Sequence, residues 1–183
     1  MSRNVSSPLA EKSLLAIKSN PYVAASVAIG GILLATALLN RQLAKKAQRD
    51  NPPRGKFLDV EGVRLHYVER GAGRPLVLFH GNGSMIQDFE SSGLIELASR
   101  KYRVIVFDRP GYGHSDRPRH VIWTPEAQAD LFFAALKQLG VQSALVLGHS
   151  WGASVAVSIA LKHPRFVEAL VLASRLLLSN RPG

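Results

Sequence analysis

The chain has no cysteine in its 183 residues, so it can hold neither a disulfide nor a thiolate-bound metal. Acids are scarce as well: 13 Asp and Glu stand against 23 Lys and Arg, giving a net charge of +10. No Asp, Glu or His follows Glu168. Apolar residues are plentiful at 46%, ample for a core, and the length suits one domain with an appendage.

The positive excess is uneven. Eight of the 23 bases but only two of the 13 acids fall within residues 1–54. A basic chain can signal nucleic acid. Here the bases flank an apolar run and no nucleic-acid motif accompanies them. A membrane is the expected partner, and nucleic acid is not.

The apolar run is residues 22–39, YVAASVAIGGILLATALL, without one charge. As a helix it covers about 27 Å, close to the hydrocarbon thickness of a bilayer. Asn20 and Pro21 have the residue types of a cap and a first-turn position, and Tyr22 suits the interface. The helix is expected to continue through the basic residues to Arg49, and Pro52-Pro53 stops it. Two other readings stand beside a membrane span. Ala35-Thr36-Ala37 has the A-x-A form of a signal-peptidase site, although it lies inside the run. A buried soluble helix is the other. Ala24, Ala28, Gly31 and Ala35 form a small-residue face, a weak dimer motif. Arg3, Lys12 and Lys18 precede the run; Arg41, Lys45, Lys46, Arg49, Arg54 and Lys56 follow it. That imbalance predicts a single-pass protein with the C-terminal part in the cytoplasm. The expected organisation is a polar segment 1–20, a membrane helix with a basic extension 21–49, a linker 50–55 and a folded domain 56–183.

Within the domain, residues 144–163 read ALVLGHSWGASVAVSIALKH. A short apolar run is followed by Gly148-His149-Ser150-Trp151-Gly152, a G-x-S-x-G match. Small and β-branched residues continue to Lys162, and Pro164 closes the run. This is strand, sharp turn, helix. Such a turn strains the central serine and needs both glycines to avoid clashes. It presents the hydroxyl at a helix N-terminus, where backbone N–H groups can stabilise an oxyanion. Ser150 is the candidate nucleophile. The alternative is a glycine-rich turn with an incidental serine, because the bare pattern is common and only its context makes it specific.

Upstream, residues 57–60 and 63–68 alternate as a hairpin, with His66 expected on the solvent side beside Arg64. Residues 75–79 and 103–107 read as buried strands. A helix is expected over 85–100, interrupted near Ser91-Ser92-Gly93. Thr124 and Pro125 open another, ended by Gly140. Residues 167–173 form one more strand. Alternating strands and helices predict an α/β fold: a mostly parallel sheet with helices on both faces.

Three motifs now stand in order: His80-Gly81-Asn82-Gly83, then Asp108-Arg109-Pro110-Gly111-Tyr112-Gly113, then Gly148-His149-Ser150-Trp151-Gly152. With them the chain, from about residue 56 to 174, resembles the α/β-hydrolase superfamily. The resemblance is to the haloperoxidase-like and epoxide-hydrolase-like branch. Epoxide hydrolases of this fold carry an aspartate at the elbow; Ser150 stands there instead, so their carboxylate nucleophile is not carried over. The resemblance implies an enzyme acting on a small-molecule substrate, without cofactor or metal. The implied reaction is hydrolysis of an ester, thioester, lactone or carbon–carbon bond, or a perhydrolase activity. It implies the backbone N–H groups of Trp151 and Asn82 as oxyanion donors. Gly81 and Gly83 let the Asn82 loop approach the substrate, and His80 orients that loop. The Trp151 ring either walls the pocket or packs. His149 points away from the reacting centre, Asp108 is structural, and His114, His120 and His163 are loop or helix-end residues.

The resemblance also implies an acid and then a histidine on loops after later strands. Neither follows Ser150 in a suitable position. Six of eight strands are signalled and the cap domain is absent. The expectation is a membrane-anchored serine hydrolase present as an inactive, C-terminally truncated fragment; the alternative is a non-catalytic membrane-bound interaction module. Relatives of this type, as the resemblance implies, continue Gly-Tyr-Tyr-Tyr-Pro-Thr where this chain reads Arg175-Leu176-Leu177-Leu178-Ser179-Asn180. One inserted base near codon 175 converts suitable tyrosine codons into leucine codons, so a frameshift is the expected origin of the tail.

Overall fold

The computed structural model describes residues 20–173; the tail on which the frameshift expectation rests lies outside them. The chain divides into two compact units, residues 1–51 and 52–183.

The first unit holds one helix, α1 (Pro21–Asp50). Asn20 caps it, its side-chain oxygen accepting the Tyr22 N–H at 3.0 Å, and Pro21 takes the first position, where no N–H is needed. Asn51 ends it by donating its backbone N–H to the Ala47 carbonyl at 3.0 Å. The hydroxyls of Ser26 and Thr36 donate to the carbonyls of Tyr22 and Ile32, at 2.9 and 2.8 Å, so neither leaves a free polar hydrogen on the helix surface. Ile29, Ile32, Leu33 and Leu34 are exposed. The stretch Pro21–Ala47 is long and apolar enough to cross a membrane, a property that signal sequences share.

The second unit is a six-stranded sheet among the described residues: β1 (Lys56–Val60), β2 (Val63–Arg70), β3 (Pro75–Phe79), β4 (Arg103–Phe107), β5 (Ala144–His149) and β6 (Val167–Ala173). Their order is β1-β2-β4-β3-β5-β6. β1 and β2 form a hairpin through Glu61 and Gly62, both at positive φ (51° and 79°), which gives the turn the twist that two-residue hairpins require. β2 meets β4 antiparallel; β4, β3, β5 and β6 run parallel. The long crossovers carry α2 (Ile86–Ser91), α3 (Leu94–Ser99), α4 (Pro125–Gln138) and α5 (Trp151–Lys162). Gly93, at φ 72°, separates α2 from α3 where the sequence predicts a break.

Both faces of the central strands are covered, which is why those strands read as unbroken apolar runs. Val77, Phe79, Ile105, Phe107 and Val146 pack against α4 and α5, with Phe132 of α4 at 4.9 Å from Phe79 and 5.1 Å from Phe107. Leu78, Val104 and Val106 pack against Ile86, Phe89 and Ile95 of α2 and α3. The last strand differs: Leu170, Val171 and Leu172 are 37%, 51% and 50% exposed, on both of its faces.

One expectation fails here. Arg64 is exposed, but His66, two residues on, is only 2% exposed. The loop after β4 folds back over that face of β2. It brings the Asp108 carboxylate within 2.7 Å of His66 Nδ1 and the His114 ring within 5.2 Å of the His66 ring. Alternation assumed one face in water, and the returning loop removes the water.

Candidate functional site

β5 delivers the chain to Ser150, whose φ of 53° and ψ of −119° are strained for a residue with a Cβ. The neighbours enforce this. A Cβ on Gly148 would overlap the Gly152 carbonyl, and one on Gly152 would overlap the Phe79 carbonyl at the end of β3. The turn is thus pressed between its own helix and the next strand. The Ser150 N–H donates to the Ala173 carbonyl of β6 at 3.0 Å, and its carbonyl accepts the Ala153 N–H at 2.9 Å. Ser150 sits at the N-cap position of α5, yet its hydroxyl makes no capping bond.

The loop after β3 abuts this turn. A Cβ on Gly81 would lie 3.0 Å from the Ser150 Cβ and 3.3 Å from His149 Nδ1. The amides of Asn82 and Trp151 donate to no backbone carbonyl outside the regular ladders among the described residues. Gly83 stands at φ 68° in the same turn. Trp151 both packs on the core and lines a cavity, so the two roles open for its ring coincide.

His80 holds the loop from beneath. It is fully buried, its Nε2 accepts the Arg109 N–H at 2.9 Å, and its Nδ1 donates to the Gly81 carbonyl at 2.8 Å. These partners require the neutral ring, and burial pushes its pKa down to about 4.

Two buried charged residues complete the support: Asp108, expected to be structural, and Arg109, to which the sequence assigned no role. Asp108 is fully buried; one carboxylate oxygen accepts the Ile86 N–H at 3.0 Å, and the other accepts the His114 N–H at 3.1 Å and His66 Nδ1–H at 2.7 Å. His66 Nε2 in turn accepts the Gly55 N–H at 3.2 Å. Arg109 is 1% exposed and donates to the Gly81 carbonyl at 3.0 Å, Asn82 Oδ1 at 2.8 Å and Gln128 Oε1 at 3.2 Å. Tyr112 donates its hydroxyl to Asn82 Oδ1 as well, at 3.0 Å. The signal available was a charged pair at a strand end followed by Pro-Gly, but nothing in it marks Arg109 as buried.

Beside Trp151 lies a cavity of about 190 Å³, lined among others by Asn82, Arg109, Tyr112, Arg117 and Trp123. Among the described residues, no histidine or carboxylate hydrogen-bonds to the Ser150 hydroxyl. His120 is exposed on the loop before α4. His163 closes α5 and stacks on Phe133 with the rings 3.5 Å apart. No group of three or more His, Asp or Glu converges as a metal site among the described residues.

Comparison with known proteins agrees with this architecture. The chain is 32% identical over 128 residues to a 2-hydroxymuconate semialdehyde hydrolase of Pseudomonas sp. (strain CF600), covering 69% of this chain and 45% of that protein. It is 34% identical over 149 residues to epoxide hydrolase 1 of Caenorhabditis elegans, covering 76% of this chain and 36% of that one. Its fold superposes on an epoxide hydrolase from Vigna radiata with a TM-score of 0.62 at 28% identity, over 69% of this chain and 41% of that structure. The chain therefore spans less than half the length of these relatives. The family model of the alpha/beta hydrolase fold matches residues 74–182, more than half of the chain, and the chain belongs to that family.

Proposed function

We propose that Ser150 is the nucleophile of a hydrolase acting on an ester, thioester, lactone or carbon–carbon bond, or of a related perhydrolase. The observation that carries this reading is the backbone of Ser150, held at φ 53° between a strand and a helix by two glycines with no room for a side chain. Such strain is kept where it presents a reacting group. The Ser150 oxygen attacks the substrate carbonyl. The oxyanion that forms is met by the Asn82 and Trp151 amides. Each such donor contributes about 10²- to 10³-fold in rate. Collapse of the adduct expels the leaving group and leaves an acyl-serine for water to cleave. Attack also needs a base within hydrogen-bond reach, and Ser150 has none among the described residues. A second reading is a non-catalytic interaction module, to which β6, at the sheet edge among the described residues, would lend a pairing strand.

A fluorophosphonate separates the two. Labelling of the full chain, mapped to Ser150 and lost in Ser150→Ala, is the result expected of the hydrolase. Labelling no greater than in Ser150→Ala would overturn the reading of Ser150 as an activated nucleophile in this chain.

The same proposal places α1 in a membrane, with the domain on the cytoplasmic face. It rests on the apolar length of Pro21–Ala47 and on the bases after it. The full chain is expected to stay with membranes through alkaline carbonate, and deletion of residues 1–53 to release it. Recovery of the full chain in the supernatant would sink the anchor.

A further inference from the structure

The cavity beside Trp151 contains an electrostatic oddity. Arg109 is the one fully buried Lys or Arg among the described residues. A guanidinium taken out of water normally meets a carboxylate. This one donates only to neutral oxygens, of Gly81, Asn82 and Gln128, and its Nε–H has no partner among the described residues. Its charge rests on the Tyr112 ring, 4.5 Å from the ring centroid. The nearby Asp108 carboxylate is taken up by His66, Ile86 and His114.

Arg117 brings a second positive charge to the same cavity. It forms no ion pair among the described residues, and its stem lies against Gly111, where a Cβ would come within 2.7 Å of its Cδ. No acid lines the cavity, while Tyr112, Trp123 and Trp151 supply walls of low polarity. In such surroundings a positive field is screened far less than in water.

We propose that this cavity is an anion subsite that seats a carboxylate on the acyl part of the substrate. Arg117 contacts the carboxylate from the rim, and Arg109 supplies positive potential from below. Resting on the reading of Ser150 as nucleophile, this narrows the substrate class to acyl compounds that carry a second, free carboxylate, such as monoesters of dicarboxylic acids.

The chain has two tryptophans, Trp123 and Trp151, and both line the cavity. Their emission therefore reports its occupancy directly. In the full chain in non-ionic micelles, glutarate is expected to give a saturable emission change that neutral dimethyl glutarate does not. Arg117→Gln should weaken glutarate about tenfold or more, the scale of one lost charge-assisted hydrogen bond. Arg117→Lys should restore part of that affinity. Arg119→Gln, on an exposed side chain that does not line the cavity, should leave it unchanged. Equal responses to the diacid and the diester would overturn the subsite, as would unchanged glutarate affinity in Arg117→Gln. Inorganic phosphate binding as tightly as glutarate would overturn the carboxylate assignment. Fluorophosphonate labelling keeps the underlying reading separate. Labelled Ser150 without glutarate binding removes the subsite and leaves the hydrolase. Glutarate binding with unreactive Ser150 supports the subsite and removes the hydrolase.

Discussion

Asp108 and Arg109 are neighbours in the chain, both buried and both charged, yet the regions they organise are opposites. Asp108 looks toward β2 and α2, where every polar group around it is matched: three donors on two oxygens, and a histidine whose second nitrogen is also used. Arg109 looks toward the elbow and the cavity, where it has three neutral acceptors, one idle N–H and no counter-charge. The first region closes on itself. The second keeps unspent polarity beside the strained Ser150. Both residues hold loops, but only the second has a charge left over, which is what the proposed anion subsite draws on.

The largest expected effect breaks the closed side. Asp108→Ala strands the Ile86 and His114 amides and the His66 Nδ1–H in the interior. Removing one partner of a buried pair costs about 3–5 kcal/mol. Arg109→Met keeps much of the volume and removes a buried charge that has no counter-charge. It strands the neutral Gln128 Oε1, while Gly81 and Asn82 keep other donors, so its cost should be smaller, about 1–2 kcal/mol. Urea midpoints followed through Trp123 and Trp151 emission compare them. Equal losses for the two variants would erase the distinction between the regions.

The second effect is a pH dependence at the seam, where His80 carries both the Arg109 amide and the Gly81 carbonyl. Its folded pKa of about 4 lies below the unfolded value near 6.5. Between those values the unfolded chain binds a proton that the folded chain refuses, so stability rises with pH there. The contribution is fully present above about pH 6.5 and is lost as pH falls toward 4, about 3 kcal/mol in all. His80→Asn should flatten the urea-midpoint profile across that window. A profile of unchanged slope would show that His80 is not the group responsible. Glu69 adds a further loss at lower pH, its carboxyl held down chiefly by Arg103 and Lys56 against the opposing effect of burial.

How much of this was legible follows from the same two regions. The elbow was readable because its requirements are local: two glycines, one serine, a strand before and a helix after. Strand positions were readable because burial on both faces leaves unbroken apolar runs such as residues 75–79. In the closed region Asp108 was read as structural, but His66 was misread because its burial is long-range in origin. His66 meets Asp108 from 42 residues away, and strand alternation carries no information about a loop that returns over it. Arg109 was passed over for a related reason. A count of 23 bases records charge without depth, and the depth of Arg109 comes from Gln128 and Asn82, which its own stretch does not reveal.

The smallest expected effect is also the one with the opposite sign. Ser150 and Glu61 are the two non-glycine residues at positive φ among those described. Glu61 sits in a hairpin turn with φ 51°, a conformation that turn residues adopt at modest cost. Ser150 combines φ 53° with ψ −119°, outside the left-handed helical region and costly for any side chain. Glycine accepts both geometries. Ser150→Gly should therefore stabilise the fold, by about 1 kcal/mol after glycine's greater entropy in the unfolded chain is set against the strain removed. Glu61→Gly should gain less, or nothing. The Ser150 variant should at the same time lose all fluorophosphonate labelling at that position. A gain in stability with a loss of reactivity is the mark of strain kept for chemistry. If Ser150→Gly instead destabilises the domain as Asp108→Ala does, the elbow belongs with the closed region, and its geometry serves packing alone.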